Sequence, residues 1–124
     1  MGYAPIIAII DDDHRVRSAM VMLLRSIGFE TRTFSSAHEY LESNDERIDC
    51  IISDYRMDGI SGVELHLRLR GSSPAKPFIL MTAFWDARIQ SEAEAAGIKT
   101  VFQKPFEAKS LITRLEGIFG SLDI

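Results

Sequence analysis

The sequence predicts an α/β domain in which helices cover a parallel sheet. Short apolar runs alternate with longer amphipathic runs along the chain, which is the rhythm of repeated strand and helix units. Acidic residues stand directly after two of the apolar runs, at Asp11 to Asp13 and at Asp54. Because the ends of parallel strands share one edge of a sheet, these carboxylates are expected to converge although they lie far apart in the chain.

Five strands are predicted, each a short run rich in apolar or β-branched residues. Each one precedes a predicted helix, as the crossover between parallel strands requires. The predicted strands are Ile6 to Ile10, Glu30 to Phe34, Cys50 to Ser53, Phe78 to Thr82, and Thr100 to Gln103.

The first helix is predicted after the acidic cluster. Apolar residues recur at helical spacing from Val16 to Ile27, and Gly28 supplies a stop. Asp12 or Asp13 is the expected N-cap, since a carboxylate there accepts from a free backbone N–H.

Capping boxes predict the starts of the second and third helices. Ser36 is followed three residues later by Glu39, and Ser61 by Glu64. Residues 63–70 alternate between apolar and polar with a period of two, which is a strand pattern. The capping box and the need for a crossover outweigh this alternation, so a helix is predicted.

The last two helices differ in how much apolar surface they offer. The fourth, about Ala87 to Ala96, has only Ile89 and alanines to bury, so it is expected to dock weakly and move easily. The fifth carries a fuller apolar stripe, made of Leu111, Ile112, Leu115, Ile118 and Phe119.

The composition predicts one ordinary globular domain over residues 1–124, with a core at about 5–120. A net charge of −4 argues against nucleic acid as a ligand. No apolar run approaches the roughly 20 residues that span a bilayer, so we expect no membrane association and a cytoplasmic location. The lone Cys50 is expected in the core and the three histidines on helix surfaces.

Every predicted strand except the second ends at a polar group suited to binding phosphate or metal. Thr82 ends the fourth strand and Lys104 follows the fifth. Three carboxylates, Asp11, Asp12 and Asp54, are balanced by one Mg²⁺ and one ammonium, and oxygen ligands favour Mg²⁺ over zinc. Carboxylates, a metal, a hydroxyl and a lysine suit phosphoryl transfer, in which one carboxylate can itself be the nucleophile.

Four segments together resemble the receiver domain of two-component response regulators. They are IIDDDHRVR, IISDYRMDGISG, ILMTAF and VFQKPF, in the order and spacing of that family, and the resemblance covers nearly the whole chain. It implies a single doubly wound (βα)5 domain, of the flavodoxin-like receiver fold, with a parallel sheet of strand order 2-1-3-4-5.

The resemblance also implies a role for each acidic residue. Asp54 would be the phosphoacceptor, taking a phosphoryl group from the phosphohistidine of a sensor histidine kinase or a phosphotransfer protein. Asp12 and Asp54 would ligate Mg²⁺ (or Mn²⁺) directly, and Asp11 would do so through water. The backbone carbonyl of Arg56 would complete the protein ligands.

The basic and hydroxyl groups have implied roles as well. Thr82 would bind a phosphoryl oxygen, Lys104 would pair with the phosphoryl group, and the Lys104–Pro105 bond would be cis. A partner surface around helix 4, strand 5 and helix 5 would switch, addressing a downstream effector domain or protein, with homodimerisation as one option. Hydrolysis of the acyl phosphate would reset the protein, which is therefore not expected to be a turnover enzyme. No effector domain is expected within the chain.

Three features depart from the family pattern. Met57 is followed by Asp58, where the family has proline. Val101 stands where the family has a rotating switch aromatic, so coupling through Thr82 is expected to differ. Arg56 and Phe84 occupy the positions where the family tunes access to the phosphoryl group.

Other functions remain open at this stage. A phosphatase of the haloacid dehalogenase type would use Asp11 and Asp13 after the first strand and leave Asp54 without a nucleophilic role. A receiver that only binds partners is compatible with Val101. A flavodoxin-like FMN site is disfavoured, because the acidic cluster would repel phosphate without a metal. Replacement of Asp54 by Asn separates the first alternative from a receiver.

Overall fold

The computed structural model describes residues 4–71 and 75–120, and the strands and helices alternate throughout. The strands of these residues are β1 (Ile6–Ile10), β2 (Glu30–Phe34), β3 (Cys50–Asp54), β4 (Phe78–Thr82) and β5 (Thr100–Gln103). The helices are α1 (His14–Ser26), α2 (Ala37–Ser43), α3 (Gly62–Leu69), α4 (Ala87–Ala96) and α5 (Ala108–Phe119). All neighbouring strands are parallel, in the order β2-β1-β3-β4-β5, which confirms the predicted sheet.

The third strand is one residue longer than predicted. Asp54 still belongs to β3, because its backbone is in register with Met81 of β4. The carboxylate therefore projects from the last residue of a buried strand rather than from the loop that follows.

Side-chain caps begin three of the helices as the sequence predicts. Asp13 caps α1, where its carboxylate accepts from Arg15 N at 2.9 Å. Ser36 accepts from Glu39 N at 3.0 Å, and Glu39 in turn accepts from the backbone N–H of Ser35. These bonds satisfy backbone donors that have no partner inside the helix.

Helix α3 resolves the conflict between its capping box and its alternating pattern. Ser61 Oγ accepts from Glu64 N at 3.1 Å, which starts the helix. Val63 and Leu65 are buried, whereas Leu67 is 44% exposed. The alternation arose because one leucine of this helix faces solvent.

Two apolar clusters form the core, one on each face of the sheet. One joins alternate β1 residues to α1 and α5, and the other joins the remaining β1 residues to α2, α3 and α4. Burial on both faces explains why the central strands are apolar runs rather than alternating ones. Within the described residues no helix is both long and apolar enough to cross a membrane.

Cys50 lies in β3 at the centre of the sheet and is completely buried. Burial raises the pKa of its thiol to about 12. The thiol is therefore a small apolar core group, as expected from its position in the sequence.

Candidate functional site

Three carboxylates meet at the edge formed by the ends of β1 and β3. Asp11 is 1% exposed and Asp54 is 7% exposed, while Asp12 is open to solvent. One carboxylate oxygen from each lies within 4.8 Å of the others. The convergence expected from strand topology is therefore present.

Lys104 reaches into this acidic cluster from the segment after β5. Its Nζ lies 2.8 Å from Asp11 Oδ2 and 3.1 Å from Asp54 Oδ1. Its backbone N–H donates to Thr82 O at 2.7 Å, which carries the sheet pairing one residue beyond β5. The Lys104–Pro105 peptide bond is cis.

Burial and like charge raise the pKa of Asp54 to about 6. Desolvation is the larger cause and repulsion from Asp11 the next, while Lys104 acts in the opposite direction. Burial by itself lowers the pKa of Lys104, but its hydrogen bond to Asp11 and the two carboxylates raise it overall. At neutral pH Asp54 is therefore mostly ionised and Lys104 carries its proton.

Backbone contacts fix the end of β3. Tyr55 N donates to Met81 O at 2.7 Å, and Gly62 N donates to Tyr55 O at 2.9 Å. A Cβ at Gly62 would clash with the carbonyl oxygen of Asp54 and lie 2.7 Å from Leu80 Cδ1. Only glycine lets α3 begin this close to the strand that carries Asp54.

Arg17 supports the loop that carries Asp11 and Asp12, and it is not among the site residues predicted from the sequence. Its guanidinium donates to the main-chain oxygen of Asp11 at 2.6 Å. Asp11 Oδ1 accepts from Asp13 N at 2.9 Å, and Asp11 N donates to Phe34 O at 3.1 Å. A basic residue one turn into the helix after an acidic run is the signal that points to such a contact.

Asp13 caps α1 and takes no part in the cluster of converging carboxylates. The hydrogen bond from the backbone N–H of Arg15 is the main cause that lowers the pKa of Asp13. The cluster in the described part of the chain consists of Asp11, Asp12 and Asp54. This geometry does not favour the phosphatase alternative, which pairs Asp11 with Asp13.

Thr82 is 2% exposed at the end of β4, and its hydroxyl is engaged by its own loop. Oγ1 donates to Phe84 O at 2.7 Å and accepts from Phe84 N at 3.2 Å. To reach another acceptor, the hydroxyl proton must leave the carbonyl of Phe84.

Arg56 and Phe84, two residues past Asp54 and Thr82, contact each other. The Arg56 guanidinium carbon lies 5.6 Å from the centre of the Phe84 ring, within the range of a cation–π contact. Phe84 is 66% exposed and the adjacent Trp85 37% exposed. Val101, by contrast, packs half-buried against the core cluster on the α4 side of the sheet.

The donor set fits a hard divalent cation. Every converging ligand atom is a carboxylate oxygen, and one of the three carboxylates is open to solvent for a partly hydrated ion. Mg²⁺ prefers one or two carboxylates together with water or phosphate oxygens. Three carboxylates and one ammonium sum to −2, so a divalent ion would neutralise the site.

Comparisons with known proteins agree with this geometry. A sequence model described as "Response regulator receiver domain" matches residues 7–116. The transcriptional regulatory protein TdiR of Thauera aromatica is 31% identical over 112 residues, covering 90% of this chain and 49% of TdiR. The transcriptional regulatory protein FixJ of Bradyrhizobium diazoefficiens is 33% identical over 111 residues, covering 89% of this chain and 54% of FixJ. The chain thus spans about half the length of these relatives.

Solved structures show the same fold. A response regulator receiver protein from Burkholderia phymatum has a TM-score of 0.80 and 35% identity, covering 95% of this chain and 97% of that chain. The chemotaxis protein CheY4 of Vibrio cholerae has a TM-score of 0.84 and 25% identity, covering 94% of this chain and 99% of that chain.

Proposed function

Since this chain belongs to the family of response regulator receiver domains, we propose that it accepts a phosphoryl group on Asp54 from a phosphohistidine. The donor would be a sensor histidine kinase or a phosphotransfer protein. The observation that carries the proposal is the pairing of Lys104 with both Asp11 and Asp54 inside the acidic cluster.

Asp54 suits the role of nucleophile. Its carboxylate is held at the end of a rigid strand, and a pKa of about 6 leaves it ionised at neutral pH. One carboxylate oxygen would form a bond to phosphorus while the bond from phosphorus to the histidine nitrogen breaks. Positioning and charge neutralisation dominate the catalysis of such transfers.

Lys104 and Thr82 would bind the transferred group. The ammonium of Lys104 is already beside Asp54 and would pair with a phosphoryl oxygen, which adds a charge-assisted hydrogen bond. The Thr82 hydroxyl would exchange its present acceptor, Phe84 O, for a phosphoryl oxygen.

A divalent ion, Mg²⁺ or Mn²⁺, would be held by Asp11, Asp12, Asp54 and the backbone carbonyl of Arg56. When bound it would neutralise negative charge that develops on the phosphoryl oxygens. Arg56 and Phe84, in contact with each other two residues past Asp54 and Thr82, would limit the access of donor and water.

The added charge would be read at a partner surface made of α4, β5 and α5. Phosphorylation replaces the single negative charge of the Asp54 carboxylate by an acyl phosphate of about two negative charges, and hydrolysis would restore the carboxylate. TdiR and FixJ are named transcriptional regulatory proteins and are about twice as long as this chain. By analogy, a transcriptional output domain is the partner we propose, with a phosphorylation-dependent homodimer as an alternative readout.

The test is the intact mass of the protein before and after incubation with acetyl phosphate, with and without Mg²⁺. We expect the mass of one added phosphoryl group, dependent on Mg²⁺ and absent in Asp54→Asn. Asp58→Asn, an exposed carboxylate four residues further along, is the matched control and should be phosphorylated.

Two results would contradict the proposal. Addition of a phosphoryl group to Asp54→Asn would move the acceptor elsewhere, with Asp11 as the residue expected by the phosphatase alternative. A protein that gains no mass under any condition would be a receiver that acts by binding alone.

A further inference from the structure

Helix α4 is held to the rest of the protein by a small apolar surface. Its buried residues are Ile89, Ala93 and Ala96, and two of these are alanines. Both alanines pack in the core cluster that also contains Val63 and Leu65 of α3. Because two of its three buried residues are alanines, this helix depends on polar contacts as well as on apolar burial for its position.

One such polar contact reaches α4 from the residue next to the proposed phosphoacceptor. The hydroxyl of Tyr55 donates to Glu92 Oε2 at 2.9 Å. Tyr55 is half-buried, and its ring packs against the core cluster that contains Ala93 and Ala96 of α4.

The backbone of Tyr55 is hydrogen-bonded on both sides, so the point from which its side chain projects is fixed. Its N–H donates to Met81 O and its carbonyl accepts from Gly62 N, at 2.7 and 2.9 Å. The backbone of Tyr55 is therefore held by β3, β4 and α3 rather than by α4. Glu92, on the helix, is the partner that would move.

We propose that Tyr55 is a positioning residue that holds α4 in its unphosphorylated position through the hydrogen bond to Glu92. The inference rests on the proposed function, because it assigns how the state of Asp54 reaches the partner surface. Val101 has no ring to move and packs against the same core cluster as Tyr55. Tyr55 is thus the aromatic residue that connects the site to α4.

The loop after β4 is where phosphorylation would act on α4. Thr82 now holds the backbone of Phe84 through its hydroxyl, and Asp86 caps α4 by accepting from Ile89 N at 2.9 Å. If a phosphoryl oxygen takes the Thr82 hydroxyl, the loop that leads into the helix is released. A shift of α4 then has to break the contact between Tyr55 and Glu92.

The test is amide hydrogen exchange of residues 87–96 in the unmodified, metal-free protein, with residues 108–119 of α5 as the internal reference. Tyr55→Phe removes only the hydroxyl, and Glu92→Ala removes the acceptor. Each should raise exchange of α4 about three- to tenfold relative to α5, the range for loss of one hydrogen bond. The double variant should exchange no faster than the faster single variant, because both remove the same bond.

Gln90→Ala is the matched control. The Gln90 side chain donates to Glu94 at 3.0 Å, so its removal breaks a side-chain bond within α4 but none to any other element in the described part of the chain. Exchange of α4 should stay within about twofold of the starting protein, as for an exposed helical pair. Unchanged exchange in Tyr55→Phe, or additive effects in the double variant, would overturn the proposal.

A second readout separates positioning from a general loss of packing. Exchange of α4 is measured again after addition of beryllofluoride and Mg²⁺, which mimic the phosphoryl group on an aspartate. The increase should be smaller in Tyr55→Phe than in the starting protein, because the helix is already released. An equal increase in both proteins would overturn the role of Tyr55. Failure of Asp54 to gain mass from acetyl phosphate would overturn the proposed function alone, since the exchange in unmodified protein does not depend on it.

Discussion

Lys104 Nζ lies 3.1 Å from Asp54 Oδ1, which joins the loop after β5 to the last residue of β3. The same ammonium is 2.8 Å from Asp11 Oδ2. One cation thus serves two buried carboxylates, and this leaves the pKa of Asp54 raised to about 6 despite the contact. The negative charge of the site exceeds the charge of Lys104, so repulsion among the carboxylates remains whenever no metal ion or proton is bound.

Replacement of Asp54 by Asn should stabilise the metal-free protein at neutral pH. The folded pKa is about 6, above the unfolded value of about 3.9, so the folded state binds more protons between these values. The free energy of unfolding therefore falls as pH rises from about 4 to 6. Because Asn cannot ionise, we expect the variant to be about 1–2 kcal/mol more stable at pH 7.5, a figure discounted for the lost contact with Lys104.

Urea unfolding in the presence of EDTA at pH 4 and pH 7.5 measures this effect. The difference between the two proteins should be small at pH 4 and appear between pH 4 and 6. The exposed Asp58→Asn variant should show no such pH-dependent gain. Equal stability of Asp54→Asn and the starting protein at pH 7.5 would contradict the prediction that the ionised Asp54 carboxylate destabilises the fold.

Removal of the lysine charge should raise the pKa of Asp54 further. Lys104 lowers that pKa by attraction and by its hydrogen bond, so Lys104→Gln should move the titration of Asp54 above about 6. Carbon-13 NMR of the aspartate side chains follows the titration directly. Lys109→Gln, at an exposed position of α5, is the control and should leave it in place.

Divalent cations should stabilise the folded protein by binding to the acidic cluster. An ion that binds only the folded state adds about 1.4 kcal/mol when its concentration is tenfold above the dissociation constant. Mg²⁺ should therefore raise the melting temperature of the starting protein, and Asp12→Asn should weaken this response. A melting temperature that is insensitive to Mg²⁺ would argue against a metal site at the three carboxylates.

Alanine should be tolerated at one helical glycine and rejected at another. A Cβ at Gly62 would clash with the carbonyl of Asp54, so Gly62→Ala should lower the free energy of unfolding by about 1–3 kcal/mol. Gly117, within α5, has nothing within 4 Å of the added atom, and Gly117→Ala should gain up to about 1 kcal/mol from helix propensity. Urea unfolding of both variants checks the contrast, and similar values for the two would contradict it.

Strand bounds and site residues could be predicted where short stretches of sequence determine the local structure. Apolar runs define strands buried on both faces, and Ser36 and Ser61 cap helices through bonds within four residues. The extra residue of β3 was missed because a carboxylate ends an apolar run in the sequence. In the fold, Asp54 stays in the strand through its register with Met81.

Contacts between distant side chains could not be predicted from spacing. Nothing in the sequence indicates that Tyr55 reaches Glu92. His66 was expected on a helix surface, yet it is half-buried and meets the Phe78 ring edge-on, with the ring centres 4.9 Å apart. Burial is the main cause that lowers its pKa. These positions depend on how α3 lies against the sheet, which periodicity alone does not fix.

The sealed thiol of Cys50 makes the protein convenient to label. Because the group is buried and its pKa is about 12, an alkylating reagent at neutral pH meets almost no thiolate until β3 itself opens. A cysteine introduced on the surface of α4 can carry a dye or spin probe while the native one stays silent. The rate at which the native thiol is alkylated then reports the unfolding of the whole sheet.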